Sequence, residues 1–402
     1  MNDRDAPGQP HRRPGHSAAA ADAQGCSGSK LARPVAPVAA LLTPPGRGAL
    51  AVVGVAGPGA GDLVMRLFRP FAGGLPASGV RVGRWAPVLP GGAGEEVVVT
   101  VVPKGGWSVH EVHCHGGAAA PAHVLGGLAA GGAAVIDWRE WLGHVGVGSV
   151  AIEAREALCR VGGPRAASIL ARQLTGTLDR ALADLRRLVD ENPAAARALG
   201  SRLRAAAVIG LRLVDPWRVV LAGPVNAGKS SLVNALAGHA RSIVSSVPGT
   251  TRDLLVTPVV IHGWEIDLVD TAGHRFPGEP AAPTESAGIA AAARAAADAD
   301  LVLLVREAGA AAPPVIGPAD LVVVTKHDRA PNAHLPRGAI ATSAISGTGI
   351  DTLAKAIVDR LVPTERSDPD LLVGAVPFTA RQMAEIDAIL GRLGPPAGDF
   401  DQ

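Results

Sequence analysis

Tyrosine is absent from this chain of 402 residues, phenylalanine occurs 5 times and cysteine 3 times. Cys26, Cys114 and Cys159 are too few and too scattered for a disulfide framework or a cysteine-rich zinc site, so a reducing, cytoplasmic setting is expected. Aromatic residues make up 3% of the chain and apolar residues 48%, with alanine and glycine supplying much of that share. Large cores are therefore available, and the length allows two or three domains. The net charge of +2 excludes a strong attraction of the whole molecule to nucleic acid and leaves only a local basic patch. No uninterrupted apolar run approaches membrane-spanning length, so no membrane partner is expected. Residues 1–34 lack the apolar core of a secretory signal and read as a disordered tail. Asp3, Asp5 and Asp22 also interrupt the pattern of an organelle-targeting peptide.

Three blocks follow the tail. Residues 35–140 alternate short apolar runs with Gly and Pro, and predict strands at Ala49–Val55, Val80–Val88, Glu96–Val102 and Ser108–His113. Residues 141–213 change character: apolar residues from Ala166 to Val189 recur at threes and fours, predicting one amphipathic helix. Residues 214–363 alternate strand and helix patterns. Their strands are expected at Arg218–Ala222, Leu254–Ile261, Trp264–Val269, Leu301–Val305 and Leu321–Thr325, which makes an α/β domain with a mainly parallel sheet. Between Val305 and Leu321 the Gly and Pro content argues against a full crossover helix. Residues 364–402 are expected to add a helix over 376–394, returning to the first helical block, and then a tail.

The most informative octapeptide is Gly223-Pro-Val-Asn-Ala-Gly-Lys-Ser230, set between an apolar strand pattern and a helix pattern. Glycines at both ends let the backbone curl so that its N–H groups face phosphate oxygens, and the helix N-terminus behind it adds partial positive charge. Lys229 can reach the β- and γ-phosphates, and Ser230 can place its hydroxyl on Mg²⁺. Asn226, Ala227, Gly228 and Ser231 complete the nucleotide-facing set of this loop.

Four further segments follow in the order a GTPase requires. In Pro248-Gly-Thr-Thr-Arg-Asp253, Thr251 is assigned to the Mg²⁺ shell, with Thr250 beside it. In Asp270-Thr271-Ala272-Gly273, Asp270 would hold Mg²⁺ and the Gly273 N–H would meet the γ-phosphate. In Thr325-Lys326-His327-Asp328, Asp328 can accept from the two guanine donors while the Lys326 stem covers the base. Ser343-Ala344 would offer a backbone N–H to the guanine carbonyl. Each of the strand-ending motifs falls where α/β sheets bind ligands, outside the carboxyl ends of their strands. Thr325 stands where most GTPases have Asn, and a threonine makes one of that residue's tying bonds rather than two. His110, His113 and His115 read as alternating along a strand on one face; no fourth ligand is evident, and a metal is not expected there.

The chain resembles the tRNA modification GTPases of the MnmE/TrmE family in three regions. These are Thr43-Pro-Pro-Gly-Arg-Gly48, Glu111-Val-His-Cys-His-Gly-Gly117, and the motifs at residues 226–238 and 248–253. The resemblance implies a P-loop GTPase domain inserted in a helical domain, with an N-terminal α+β domain that dimerises. It implies a homodimer, G domains that pair across the nucleotide face, and action with an FAD-dependent partner protein on the wobble uridine (U34) of tRNA, using a one-carbon unit from reduced folate. It implies K⁺ stimulation, with Asn226 as ligand and Ser245, Val247 and Thr250 nearby. A glutamate that positions the attacking water is matched by Glu285, and His274 is a second candidate for that role. Glu111 matches a residue of the family's folate site. Gly54 stands where the family has an arginine, the family's lysine has no counterpart in Gly143–Val150, and the C-terminal Cys motif is absent. Weak folate binding is therefore expected. The alternatives are a GTP-switched binding protein on the same scaffold without one-carbon chemistry, and a ribosome-assembly GTPase.

Overall fold

The computed structural model describes residues 36–86, 94–104, 107–224, 226–239, 255–270, 297–310, 321–362 and 370–393. Two sheets and a helical layer account for them.

The first sheet has the order β3-β4-β5-β6-β2-β1-β7. Its strands are β1 (Val38–Leu41), β2 (Leu50–Ala56), β3 (Phe68–Pro70), β4 (Gly79–Trp85), β5 (Glu96–Lys104), β6 (Trp107–His115) and β7 (Ala134–Val135). All pairings are antiparallel except β1 with β7. Helices α1 (Ala60–Leu67) and α2 (Ala119–Ala130) cover one face, where Leu63, Val64, Val124 and Leu128 meet Val53, Val55, Val99 and Val112. Helix α3 (Trp138–His144) covers part of the other face through Trp141, which packs with Val38, Ala40, Ala56 and Val109. These are the alternating inward positions of half-buried strands.

Strand parity corrects one expectation. His110 is buried on the side of Val112 and Cys114, whereas Glu111 and His113 point to the opposite face, because side chains alternate with period two. The three histidines therefore do not share a face.

Helices α4 (Ser149–Leu158), α5 (Pro164–Leu174), α6 (Thr177–Glu191) and α7 (Pro193–Gly210) form the helical layer. The single helix expected over 166–189 is two. Thr175 ends α5, and Gly176 takes the left-handed conformation at φ 82° before α6 begins. That conformation cannot continue a right-handed helix and suits glycine. Helix α6 buries Leu178, Leu182, Leu185 and Val189, one apolar stripe. Asn192 closes α6 and caps α7, its side chain accepting from the Ala195 N–H at 3.1 Å.

The last helix, Ala380–Gly391, starts in a capping box between Thr379 and Gln382. It returns to this layer as expected: Arg381 binds Glu153 of α4, Glu385 pairs with Arg186 of α6, and Asp387 pairs with Arg204 of α7. A methyl group at Gly200 would lie 2.5 Å from Leu390 Cδ1, so the Leu390 side chain occupies the space over that glycine.

The second sheet has the order β13-β12-β11-β8-β10-β9. It comprises β8 (Trp217–Ala222), β9 (Leu255–Ile261), β10 (Trp264–Asp270), β11 (Leu301–Glu307), β12 (Leu321–Thr325) and β13 (Ile340–Ala341). Only β9 with β10 is antiparallel, so the sheet is mainly parallel as the pattern predicts. That hairpin turns through His262 and Gly263 at φ 47° and 86°, the two-residue turn whose twist matches its strands. Helix α8 (Lys229–His239) and the helix Ile350–Leu361 pack on this sheet. One continuous core joins the sheet to the helical layer. The segment between β11 and β12 at 311–320, where a reduced crossover is expected, lies outside the described residues.

Candidate functional site

The carboxyl ends of β8, β10 and β12 converge on the loop between β8 and α8. Gly223 opens this loop at φ 154°, where a β-carbon would stand 2.1 Å from the Val305 carbonyl oxygen. Gly228 closes it at φ 88°. Asn226 between them is also left-handed, at φ 63°, a conformation that asparagine tolerates better than most residues. Only glycine fits at Gly223.

Lys229 is the first residue of α8 and is 4% exposed. Its ammonium donates to the carbonyls of Gly223 at 2.8 Å and Pro224 at 2.9 Å. Burial holds its pKa below the usual lysine value, although Asp270 acts in the other direction. Ser230 follows, and its hydroxyl donates to Asp270 Oδ2 at 2.5 Å. Asp270 ends β10 and is 2% exposed. The structure therefore places two hard oxygen donors side by side at the phosphate end of the loop. Such a pair fits Mg²⁺, which prefers oxygen ligands and is held in part by substrate phosphates.

A cavity beside the loop is bounded by Gly228, Ser231, Thr325, Lys326, Asp328 and Ala344. Thr325 is buried at the end of β12, and its hydroxyl lies 2.5 Å from the Ala227 carbonyl and 3.1 Å from that of Arg306. Lys326 adopts φ 53° and donates to the Asn226 carbonyl at 2.8 Å. Asp328 is exposed, and a hydrogen bond from Ser343 is the main cause that holds its carboxyl below the usual range. Ser343 is buried, its own backbone turned into the loop by bonds with Thr348 and Gly347. Of the sequence-predicted residues, Gly228, Ser231, Thr325, Lys326, Asp328 and Ala344 thus meet around one cavity, while Asp270 of β10 joins the loop through Ser230.

Ser245, Val247, Thr250, Thr251, Thr271, Ala272, Gly273, His274 and Glu285 lie outside the described residues.

A family model described as 50S ribosome-binding GTPase matches residues 218–330. Over a much longer span, the chain is 31% identical to the tRNA modification GTPase MnmE of Nitratidesulfovibrio vulgaris, covering 90% of this chain and 89% of that protein. The chain belongs to the MnmE family of tRNA modification GTPases. The MnmE proteins of Chloroflexus aurantiacus, 32% identical over 81% of each chain, and of Thermus thermophilus, 32% identical over 86% of each, are similar in the same way. The family model covers only the loop-bearing sheet, whereas the MnmE relatives extend through the N-terminal sheet and the helical layer.

The two positions that the resemblance aligns with a folate site, Gly54 and Glu111, face each other across β2 and β6. Glu111 is half-buried on β6, accepts from the Thr100 hydroxyl at 3.4 Å and lies 3.6 Å from His113 Nε2. Gly54 sits directly opposite it on β2. A β-carbon at Gly54 would lie 2.5 Å from Trp141 Cζ2 and 2.9 Å from Leu42 Cδ1. No side chain fits at that position while Trp141 and Leu42 hold their places. Among the described residues no group of three or more His, Cys, Asp or Glu is arranged to hold a metal ion. None of the described helices is long and apolar enough to cross a membrane.

Sequence reasoning missed Glu307, which pairs with Lys326 at 2.7 Å, and Arg329 and Ile345, which line the base cavity. Arg329 follows Asp328 directly and Ile345 follows Ala344, so proximity in sequence was the available signal. Glu307 offers none, because its position follows from the pairing of parallel strands.

Proposed function

We propose that this chain binds and hydrolyses Mg²⁺–GTP as part of the modification of the wobble uridine of tRNA. The observation that carries the reading is the joining of Ser230, Asp270, Thr325 and Asp328 around one loop, in a chain related to MnmE over nearly its whole length. Lys229 would exchange its two loop carbonyls for the β- and γ-phosphates on nucleotide entry. Ser230 and Asp270 would hold Mg²⁺, which spreads the charge that develops on the phosphates. Thr251, Thr250, Thr271, Ala272 and Gly273 would close on the γ-phosphate. Glu285 is the residue proposed to position the attacking water, with His274 second. Asp328 would read the guanine edge and Ala344 the guanine carbonyl.

K⁺ would lie against Asn226, with Ser245, Val247 and Thr250 completing its ligands and supplying positive charge without an arginine finger. The remaining proposals are architectural. The second sheet would be a G domain inserted into a helical domain made of α4–α7 and the helix Ala380–Gly391, and the first sheet would mediate a homodimer. An FAD-dependent protein and tRNA are the proposed partners, and the setting is cytoplasmic.

Nucleoside analysis of tRNA from cells lacking the chain tests this reading. Loss of the wobble-uridine modification, restored by the native chain but not by Asp270→Ala, is the expected result. Unchanged modification would favour a GTP-switched binding protein. In vitro, GTP hydrolysis should run faster in K⁺ than in Na⁺ at equal ionic strength, and Asn226→Ala should remove that difference.

A further inference from the structure

Glu307 ends β11, and the parallel register sets it opposite Thr325, one residue before Lys326. Its carboxylate accepts from Lys326 Nζ at 2.7 Å, while the same ammonium donates to the Asn226 carbonyl at 2.8 Å. Lys326 therefore spans three elements: the end of β11, the end of β12 and the phosphate loop. Its backbone is left-handed at φ 53° and ψ 32°, a conformation that a residue with a β-carbon holds only when its surroundings enforce it. Two of the three ammonium donors are committed, to Asn226 and to Glu307, while Lys326 lines the cavity.

We propose that Glu307 is a positioning residue for guanine-nucleotide binding. It anchors the Lys326 ammonium so that the methylene stem stands as a preformed wall of the base cavity. The need for it follows from Thr325. A hydroxyl carries one hydrogen, so Thr325 can donate to Ala227 or to Arg306 but not to both. Among the described residues, the side-chain ties from the end of β12 and the turn after it to the phosphate loop are then that single bond and the Lys326–Asn226 bond. Glu307 keeps the second of these aimed. The pair is partly exposed, with side chains 28% and 39% accessible, so attraction between the charges is screened and contributes little by itself. The gain lies in ordering a long, flexible side chain before the nucleotide arrives. Because Glu307 is placed at neither the γ-phosphate nor the guanine edge read by Asp328, it supports GDP and GTP alike.

The proposal rests on the GTP-binding reading, and a double-mutant cycle separates the two. Dissociation constants for GDP and for a non-hydrolysable GTP analogue would be measured on the full chain, on Glu307→Ala, on Lys326→Ala and on the double variant. Glu307→Ala should weaken both nucleotides by a similar factor, about 2- to 10-fold. In the Lys326→Ala background the same change should have no further effect, and Glu307→Asp should recover part of the loss. Unchanged affinity in Glu307→Ala overturns the proposal. So does an equal loss in both backgrounds, which would give Glu307 a role independent of Lys326. Failure of the native chain to bind either nucleotide would instead remove the reading on which the proposal stands.

Discussion

The hydroxyl of Thr325, at the end of β12, lies 2.5 Å from the carbonyl oxygen of Ala227 in the phosphate loop. The strand that carries the base-reading turn is thereby tied to the loop that would hold the phosphates. A methyl at Gly228 would touch the same hydroxyl at 3.4 Å, so loop and strand are packed as well as bonded.

Thr325→Val keeps the shape of this residue and removes the hydroxyl. The Ala227 carbonyl would then be left without this donor. A lost hydrogen bond of this kind costs about 1 kcal/mol, which corresponds to roughly 5-fold in affinity. Titration of the purified variant should show GDP and GTP weakened by about that factor. Equal affinity in the variant would show that the loop is held by Lys326 without help from Thr325.

The sequence made the second sheet legible because its central strands are buried on both faces. Leu321–Thr325 is a continuous apolar run that stops at a charged turn, and the structure has the same bounds. The two strands of the hairpin were legible as the apolar runs that flank His262-Gly263, whereas their antiparallel pairing was not read. The break at Gly176 was not, because Leu174 and Leu178 keep helical spacing across it and the apolar stripe continues from α5 to α6. Trp141 over Gly54 and Glu307 beside Lys326 are meetings of distant segments, set by sheet order and parallel register rather than by spacing. The parity of His110 was legible and was misread: His113 lies three positions further on, an odd step on a strand.

Asp328 is exposed, and a hydrogen bond from Ser343 lowers its carboxyl below the usual aspartate range. An ionised carboxylate accepts two hydrogen bonds, which suits the guanine N1–H and amino group. Asp328→Asn replaces one acceptor with a donor and should shift preference from GTP toward XTP. Competition binding with both nucleotides checks this. Unaltered selectivity for GTP in the variant would mean that another residue reads the base.

Lys229 is charged, buried and bonded only to neutral carbonyls in the described structure. Burial lowers its pKa in the folded state, so between that value and the ordinary lysine value the unfolded chain binds more protons. Stability of the nucleotide-free protein contributed by this site therefore rises with pH through that window, and below it the full cost of the buried charge remains. Lys229→Met should reduce nucleotide affinity by about 10- to 100-fold, the loss expected for hydrogen bonds to charged phosphates. The melting temperature of the variant relative to the native chain should be highest on the acid side of that window, and the difference should narrow as pH rises through it. A difference that does not change with pH would show that Lys229 keeps its ordinary pKa.

The N-terminal sheet presents Glu111, but Trp141 fills the space beside Gly54. A polar group of a folate that loses its partner on burial costs about 1–3 kcal/mol. Two such losses, at Gly54 and at the missing lysine, would weaken binding by roughly 10²- to 10⁴-fold. Calorimetry with 5-formyltetrahydrofolate should therefore show weak or no binding beside normal Mg²⁺–GTP binding. Tight, stoichiometric binding would mean that other residues have taken over those contacts.

The hairpin of β9 and β10 joins the segment containing Thr250 and Thr251 to Asp270, and its tip docks on the start of α5. The Gly162 N–H donates to Glu265 Oε2 at 2.7 Å, and the Arg165 N–H donates to the Gly263 carbonyl at 3.1 Å. A β-carbon at Gly163 would stand 2.8 Å from that same carbonyl oxygen and 3.1 Å from the Glu265 nitrogen, whereas one at Gly162 would meet only the carboxylate end of Glu265. Gly163 has φ −96° and ψ 133°, a conformation open to any residue, so its lack of a side chain serves close approach and not backbone freedom. Alanine at Gly163 must push two backbones apart and should cost about 1–3 kcal/mol, while alanine at Gly162 should cost less because a flexible side chain can move aside. Urea unfolding of both variants measures the difference directly. Equal midpoints for Gly163→Ala and the native chain would show that hairpin and helix can separate by a few tenths of an ångström without penalty. The docking of the hairpin would then rest on Glu265 and Arg165 rather than on contact between backbones.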